Sequence, residues 1–243
     1  VRLKEGGYQT GFVGKWGIGG THPGVFDYWN GFSETDFYHL AQVNGGPLHM
    51  SDYLARASVE FLERMDSARP FFLMSSFKAP HSSNGPGEDY QPHRDDMKSY
   101  AGRPVTMPPT ATGAAHDRLP PLLKNSLGRA RWRKRFGTAE RAQASMRSYY
   151  GLMSGLDRAV GDILARLESM NLAHNTLVMF TSDNGMALGD RGLAGKWHMF
   201  EESIRTPLIV RLPTAFPAGP SRQISDLTLN VDLMPTVLDF AGL

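Results

Sequence analysis

The tetrapeptide Ser182-Asp183-Asn184-Gly185 places a carboxylate and an amide side by side on a tight turn. It follows directly on the apolar residues 176–181, which predict a buried strand. Carboxylate and amide oxygens are ligands for hard cations such as Ca²⁺. The competing interpretation is an Asn-Gly turn that simply ends a strand, because such turns are common. The tetrapeptide therefore suggests a metal site at a strand end.

Three further side chains could take part in catalysis, and two of them follow predicted strands. Lys15 comes just after the apolar residues 10–14, His81 follows the apolar residues 71–75, and Lys196 comes twelve residues after Asn184. Cations that can hold an anion and a histidine that can move a proton would suit hydrolysis of an anionic ester beside a metal. Taken singly, each lysine could be a solvated surface residue and His81 a plain loop residue.

The elements that position these residues alternate between strand and helix. Apolar runs predict strands at residues 10–14, 71–75, 176–181 and 207–212, and helical spacing predicts helices at residues 51–65, 139–170 and 233–240. Residues 17–47 and 82–121 have no sustained period and indicate, respectively, a long irregular excursion and an extended surface insertion. This alternation predicts an α/β fold with a mostly parallel central sheet and ligands at the carboxyl ends of its strands.

Composition narrows the functional classes. The chain has 243 residues, 41% of them hydrophobic and 21% charged, with no run long enough to span a bilayer. Its formal net charge of +2 gives no reason to expect nucleic acid as a partner. Without cysteine, these residues contain no disulfide, thiolate zinc site or cysteine nucleophile. Neither oligomeric state nor compartment can be inferred from composition.

Several segments together resemble the sulfatase family. They are Gly7-Tyr8-Gln9-Thr10-Gly11-Phe12-Val13-Gly14-Lys15-Trp16, Ala79-Pro80-His81, Ser182-Asp183-Asn184-Gly185 and Gly192-Leu193-Ala194-Gly195-Lys196-Trp197, which occur in the family's order. Residues 149–157 and 230–236 also look like sulfatase core segments. The resemblance covers nearly the whole chain, and it is weakest from residue 82 to residue 139. It implies the alkaline-phosphatase-like fold, with helices on both faces of the sheet.

The resemblance assigns a role to each candidate residue. It implies that Asp183 and Asn184 ligate one calcium ion, and that Lys15 and Lys196 bind the oxygens of the sulfate group. His81 would hydrogen-bond or protonate the leaving group, so that the two lysines and His81 are both catalytic and substrate-binding residues. The implied activity is hydrolysis of a sulfate monoester on a carbohydrate or aryl substrate, in a periplasmic or secreted protein.

The chain departs from the family pattern at the nucleophile. Sulfatases use a formylglycine made in a Cys/Ser-x-Pro/Ala-x-Arg segment upstream of the Gly-Lys-Trp motif, and neither it nor the acidic pair of the first strand precedes Lys15. Ser99-Tyr100-Ala101-Gly102-Arg103 matches formally but lies after His81, and we treat it as chance. Gly17 stands where the family has histidine. Residues 1–243 are therefore expected to be a partial catalytic domain, without the nucleophile segment and a C-terminal subdomain, and inactive alone.

Two rival functions remain open. A phosphomonoester or phosphonate hydrolase of the same superfold would also clamp a tetrahedral anion. A catalytically dead protein that binds sulfated glycans would tolerate the missing nucleophile and Gly17. The basic residues 129–135 around Trp132 could bind a polyanion, although a solvated helix face is the simpler interpretation.

Overall fold

A computed structural model describes residues 1–19, 23–33, 38–40, 48–83, 89–216 and 219–243. The strands are β1 (Gln9–Lys15), β2 (Tyr28–Phe32), β3 (His39–Leu40), β4 (Leu48–His49), β5 (Phe71–Ser76), β6 (Val178–Thr181), β7 (Ala187–Leu188), β8 (Ala194–Gly195) and β9 (Leu208–Arg211). The helices are α1 (Arg2–Glu5), α2 (Met50–Arg64), α3 (Gly113–Asp117), α4 (Pro121–Lys124), α5 (Leu127–Phe136), α6 (Ala139–Ser169), α7 (Glu201–Ile204) and α8 (Leu233–Phe240).

The chain divides into two compact units. Unit 1 contains residues 1–79, 156–177 and 212–243, and unit 2 contains residues 80–155 and 178–211. In unit 1 the order β2-β1-β5 forms a parallel sheet, with Gly11 opposite both Tyr28 and Leu73. Parallel strands require crossover connections. The connection from β2 to β5, which lie on either side of β1, contains α2.

Helices cover both faces of this parallel sheet. On one face Gly11 lies under Phe61 of α2, so closely that a Cβ at Gly11 would lie 2.8 Å from the phenyl ring. Successive side chains of a strand point to opposite faces. Thr10 and its partner Phe72 accordingly line an apolar cavity together with Leu238 of α8. The predicted α/β class with helices on both faces is confirmed.

Two features of unit 1 differ from the sequence predictions. Residues 17–47 were predicted to be wholly irregular, yet β2 lies within them and pairs with β1; residues 20–22, 34–37 and 41–47 lie outside the described residues. Half-buried aromatic and glycine residues in β2 give neither an alternating nor a continuous apolar pattern. The second helix was predicted to begin at residue 51, but α2 begins at Met50 with His49 as its N-cap, whose ring nitrogen accepts the Ser51 N–H at 3.2 Å.

Unit 2 has its own small core. Phe136 of α5 packs with Ala142 and Met146 of α6 and with Ala194 of β8. Residues 82–121 are largely irregular, as predicted, although 84–88 lie outside the described residues. The prediction that this segment is a surface insertion without a core role is wrong, because Val105 and Met107 pack against that cluster.

The later strands are less covered than their apolar sequences predict. β6 pairs antiparallel with β9, with Phe180 opposite Ile209, and its residues are half-buried. Ile209 is 63% exposed. Among the described residues β6 hydrogen-bonds to β9 alone, which leaves these apolar side chains with few neighbours. In the part of the chain that the structure describes, no helix is both long enough and apolar enough to cross a bilayer.

Candidate active site

The turn after β6 is fixed by backbone contacts with the segment around α7. The Gly185 N–H donates to the Ser203 carbonyl at 2.8 Å, and the Ser182 hydroxyl donates to the Asn184 carbonyl at 2.8 Å. A Cβ at Gly185 would collide with the carbonyl oxygen of Glu202 and would lie 2.6 Å from that of Arg205. Only glycine therefore fits at the point where this turn meets α7.

A short hairpin brings Lys196 back towards the same turn. β7 and β8 pair antiparallel, with Ala187 opposite Gly195, so the residue after Gly195 lies near the start of the hairpin. Gly195 has a φ of +109°, and a Cβ there would lie 2.9 Å from the indole nitrogen of Trp197. This left-handed backbone favours glycine and turns the chain at the start of the Lys196 side chain.

Lys196 and Asp183 are thus brought together. The Lys196 ammonium lies 3.9 Å from a carboxylate oxygen of Asp183, with the lysine side chain 26% exposed and the aspartate side chain 82% exposed. An exposed ion pair of this length contributes on the order of 0–1 kcal/mol to stability. Its contribution to folding is therefore small, and the two charges are placed where a ligand can reach them.

The donor set at the turn fits a hard cation. Asn184 donates through Nδ2 to the Gly185 carbonyl at 2.7 Å, which leaves its amide oxygen as the atom for a cation. The Asp183 carboxylate is the neighbouring oxygen donor. Calcium takes six to eight oxygen ligands, as a general rule, and these two side chains would supply only some of them. No group of three or more His, Cys, Asp or Glu suited to a metal occurs among the described residues.

His81 lies in unit 2, in the turn after β5. Its Nδ1 is 2.7 Å from the carbonyl oxygen of Ser82. A carbonyl can only accept a hydrogen bond, so Nδ1 carries the proton and proton exchange falls to Nε2. Ser82 is buried, and its hydroxyl accepts from Arg135 Nη2 at 2.9 Å.

Lys15 is the last residue of β1 and lies in unit 1. It sits opposite Phe32 of β2, and the next N–H, that of Trp16, donates to the Phe32 carbonyl at 2.7 Å. The Trp16 ring packs edge-on against Phe12, 5.1 Å between centroids. These contacts fix the end of β1 that carries Lys15, at the strand end where the sequence predicted it.

The structure also shows a buried ionic cluster that the sequence pattern did not reveal. Asp89 accepts from Arg135 Nε at 2.6 Å and from the Lys134 ammonium. Burial would raise the pKa of the Asp89 carboxyl, but the hydrogen bonds and charges of Lys134 and Arg135 outweigh it and lower that pKa. Lys134 and Arg135, two of the basic residues predicted to lie on a solvated helix face, thus bind Asp89 in the segment after His81. Their partner lies more than forty residues away, beyond the reach of any local pattern.

A second ion pair flanks Lys196. Arg191 donates to Glu202 at 2.6 Å, and its guanidinium lies 4.6 Å from the centre of the Phe200 ring. Burial would raise the pKa of the Glu202 carboxyl, but Arg191 lowers it overall. The sequence could have indicated this ion pair only through the opposite charges of Arg191 and Glu202 on either side of Lys196, and that is a weak signal.

The sulfatase family model matches residues 2–243 of the chain. The chain is 27% identical to the N-acetylglucosamine-6-O-sulfatase of Bacteroides thetaiotaomicron, and the match covers 99% of the chain and 53% of that protein. The chain spans about half the length of this curated relative.

Solved structures agree on the fold. One is a complex of a protein with its substrate D-glucosamine-2-N,6-O-disulfate, which matches at a TM-score of 0.76 and 26% identity over 99% of this chain and 60% of that one. Another is the phosphonate monoester hydrolase of Agrobacterium radiobacter, at a TM-score of 0.73 and 23% identity over 99% of this chain and 57% of that one. At that identity the second similarity shows the fold alone.

Proposed function

Since the chain belongs to the sulfatase family, we propose that it carries part of a centre that hydrolyses a sulfate monoester on a carbohydrate. The observation that supports this most is the convergence of Lys196 and Asp183, at 3.9 Å, with Asn184 following Asp183 in the same turn. A cation and a carboxylate that meet after one strand, in a turn that also carries an amide, suit a bound anion with a metal beside it.

In this proposal each side chain has one task. Lys196 and Lys15 hold the peripheral oxygens of the sulfate group, where negative charge is distributed in the transition state. His81, held through Nδ1 by the Ser82 carbonyl, would act as the imidazolium: it gives the proton on Nε2 to the leaving alkoxide and keeps the one on Nδ1. Asp183 and Asn184 would hold a calcium ion, whose positive charge would stabilise the sulfate oxygens when bound.

The nucleophile is the part that these residues do not supply. The chain contains no cysteine, and its formal serine match, Ser99-Tyr100-Ala101-Gly102-Arg103, lies after His81. We propose that formylglycine comes from outside residues 1–243, so that the chain alone binds sulfate esters without turning them over. A Cβ at Gly17, where the family has histidine, would meet no atom of the described residues within 4 Å.

The names of two relatives support a substrate class. One relative is named for a 6-O-sulfate of N-acetylglucosamine and another was solved with a disulfated glucosamine, so we propose a sulfated amino sugar of a glycan as the substrate. Export to the periplasm or the cell exterior is part of the same proposal, because polymeric sulfated glycans are found there.

Turnover tests this function against its rivals. The complete product of the reading frame, made with the enzyme that forms formylglycine, and residues 1–243 alone are assayed with N-acetylglucosamine 6-sulfate and with a phenyl phosphonate ester. We expect the complete product to release sulfate faster than it cleaves the phosphonate, and residues 1–243 to release none. If the complete product prefers the phosphonate, the phosphonate hydrolase rival is favoured. If the complete product binds the sulfated sugar without any turnover, the glycan-binding rival is favoured.

A further inference from the structure

We propose that a cleft in unit 2, next to the Lys196 segment, is a subsite for a second anionic group of a sulfated saccharide. The subsite rests on the proposed function and extends it to the sugar that adjoins the reacting one. The cleft has a volume of about 360 Å³, and its lining includes Thr110, Arg118, Pro120, Arg191 and Phe200.

Hydrogen bonds fix the backbone at Arg191, which lines one part of the cleft. Arg191 has a φ of +52°, a left-handed conformation that is unusual for a residue with a side chain. Its N–H donates to the Thr110 carbonyl at 2.9 Å, while the Thr110 hydroxyl donates to the buried carboxylate of Asp190 at 2.8 Å. The second Asp190 oxygen accepts from the Leu188 N–H at 3.0 Å. Backbone conformations of this kind cluster at functional sites, where the surrounding contacts hold them in place.

The lining carries a second guanidinium. Arg118 is exposed and ends α3 as its C-cap residue. The residues that line the cleft include two arginines and no acidic side chain, although Glu202, outside the lining, pairs with Arg191. Since Glu202 balances the charge of Arg191, the net positive charge of the lining is that of Arg118.

The lining fits a charged sugar better than an inorganic anion. Phe200, Leu119 and Pro120 give it an apolar surface, on which the carbon-bound face of a sugar ring can lie. A guanidinium donates two parallel hydrogen bonds to oxyanions such as carboxylate and sulfate. The combination selects a saccharide that carries a carboxylate or a sulfate.

The cleft is close to Lys196 along the chain. Arg191 lies five residues before Lys196 and Phe200 four residues after it. An extended chain covers at most about 3.6 Å per residue, so the Phe200 Cα lies within roughly 14 Å of the Lys196 Cα. A short oligosaccharide can cover that distance, with its reacting sulfate at Lys196 and its neighbouring sugar in the cleft.

Binding of three disaccharides tests the subsite. All contain N-acetylglucosamine 6-sulfate, and the neighbouring sugar is neutral, carboxylated or sulfated. Calorimetry with residues 1–243 and calcium compares the unchanged chain with Arg118→Gln and with Arg222→Gln, an exposed arginine of unit 1. Arg118→Gln should weaken binding of at least one doubly charged disaccharide on the order of tenfold and leave the neutral one unchanged. The doubly charged disaccharide whose affinity falls more shows whether the subsite binds a carboxylate or a sulfate.

Other outcomes separate the subsite from the proposed function. Equal effects of Arg118→Gln and Arg222→Gln overturn the subsite, as does an unchanged chain that binds neither doubly charged disaccharide. In parallel, Lys196→Ala should weaken all three probes. If Lys196→Ala weakens them and Arg118→Gln does not, the subsite alone fails; if Lys196→Ala changes none of them, the proposed function fails.

Discussion

Lys196 and Asp183 lie 3.9 Å apart, ammonium nitrogen to carboxylate oxygen, although they are thirteen positions apart along the chain. The β7–β8 hairpin closes that gap by pairing Ala187 with Gly195. Two glycines make the approach possible: Gly185 fits against the backbone of α7, and Gly195 adopts a positive φ. Each residue of this pair gives a separate test of the site.

The first prediction concerns the metal. Asp183→Asn replaces a carboxylate by a neutral amide of nearly the same shape, so it should lower calcium affinity at least about tenfold, because hard cations prefer charged oxygen ligands. Calorimetric titration with Ca²⁺ measures this, and Asp226→Asn, at an exposed site in unit 1, is the matched control. Calcium affinity that is the same in both variants would remove Asp183 from the ligand set.

The second prediction concerns the turn that carries Asp183. Gly185→Ala should lower the free energy of unfolding by roughly 1–3 kcal/mol, because its new methyl group meets the carbonyl oxygens of Glu202 and Arg205. It should also weaken calcium binding, since the turn must shift. Gly161→Ala provides the contrast: it lies on α6 with no atom within 4 Å of the new methyl group, and it should stabilise by about 0.5–1 kcal/mol. Urea unfolding measures the stability of both variants. A Gly185→Ala variant with an unchanged free energy of unfolding would contradict this packing.

The third prediction concerns pH. The pKa of Asp89 is lowered in the folded protein, so its ion pairs stabilise fully above the unfolded pKa of about 4, and this stabilisation is lost as the pH falls below that value. Asp89→Asn should cost roughly 3–5 kcal/mol at neutral pH, because it leaves Arg135 buried without its partner. The loss should shrink towards pH 3. Unfolding at both pH values, with Asp157→Asn as an exposed control, measures it; a loss that does not depend on pH would argue against the ion pairs.

Local patterns were sufficient for the elements with strong periodicity. The apolar run of β5 and the three-and-four spacing of α6 each predict their element to within two residues. The same reasoning missed β2, whose Trp29 and Gly31 pair with Phe12 and Gly14 of β1. Antiparallel pairing of β6 with β9 likewise depends on partners that no window of sequence shows.

The candidate site was predictable in part for a similar reason. A strand-end rule predicts Lys15 and Asp183 to lie just past two strands; in the structure Lys15 is the last residue of β1 and Asp183 lies two residues after β6. It does not predict that Arg135 holds Ser82, which in turn orients His81, because that contact joins residues more than fifty positions apart. The roles of all five site residues remain predictions.

Sulfate release by Lys196→Ala tests the central claim most directly. The complete product of the reading frame, unchanged and with Lys196→Ala or Lys98→Ala, is assayed on N-acetylglucosamine 6-sulfate; Lys98 is an exposed lysine of unit 2 that pairs with Asp95. Lys98→Ala should keep the full rate, while Lys196→Ala should lose on the order of 10²- to 10³-fold in kcat, as removal of a transition-state charge contact does. Equal rates in the two variants would contradict the account.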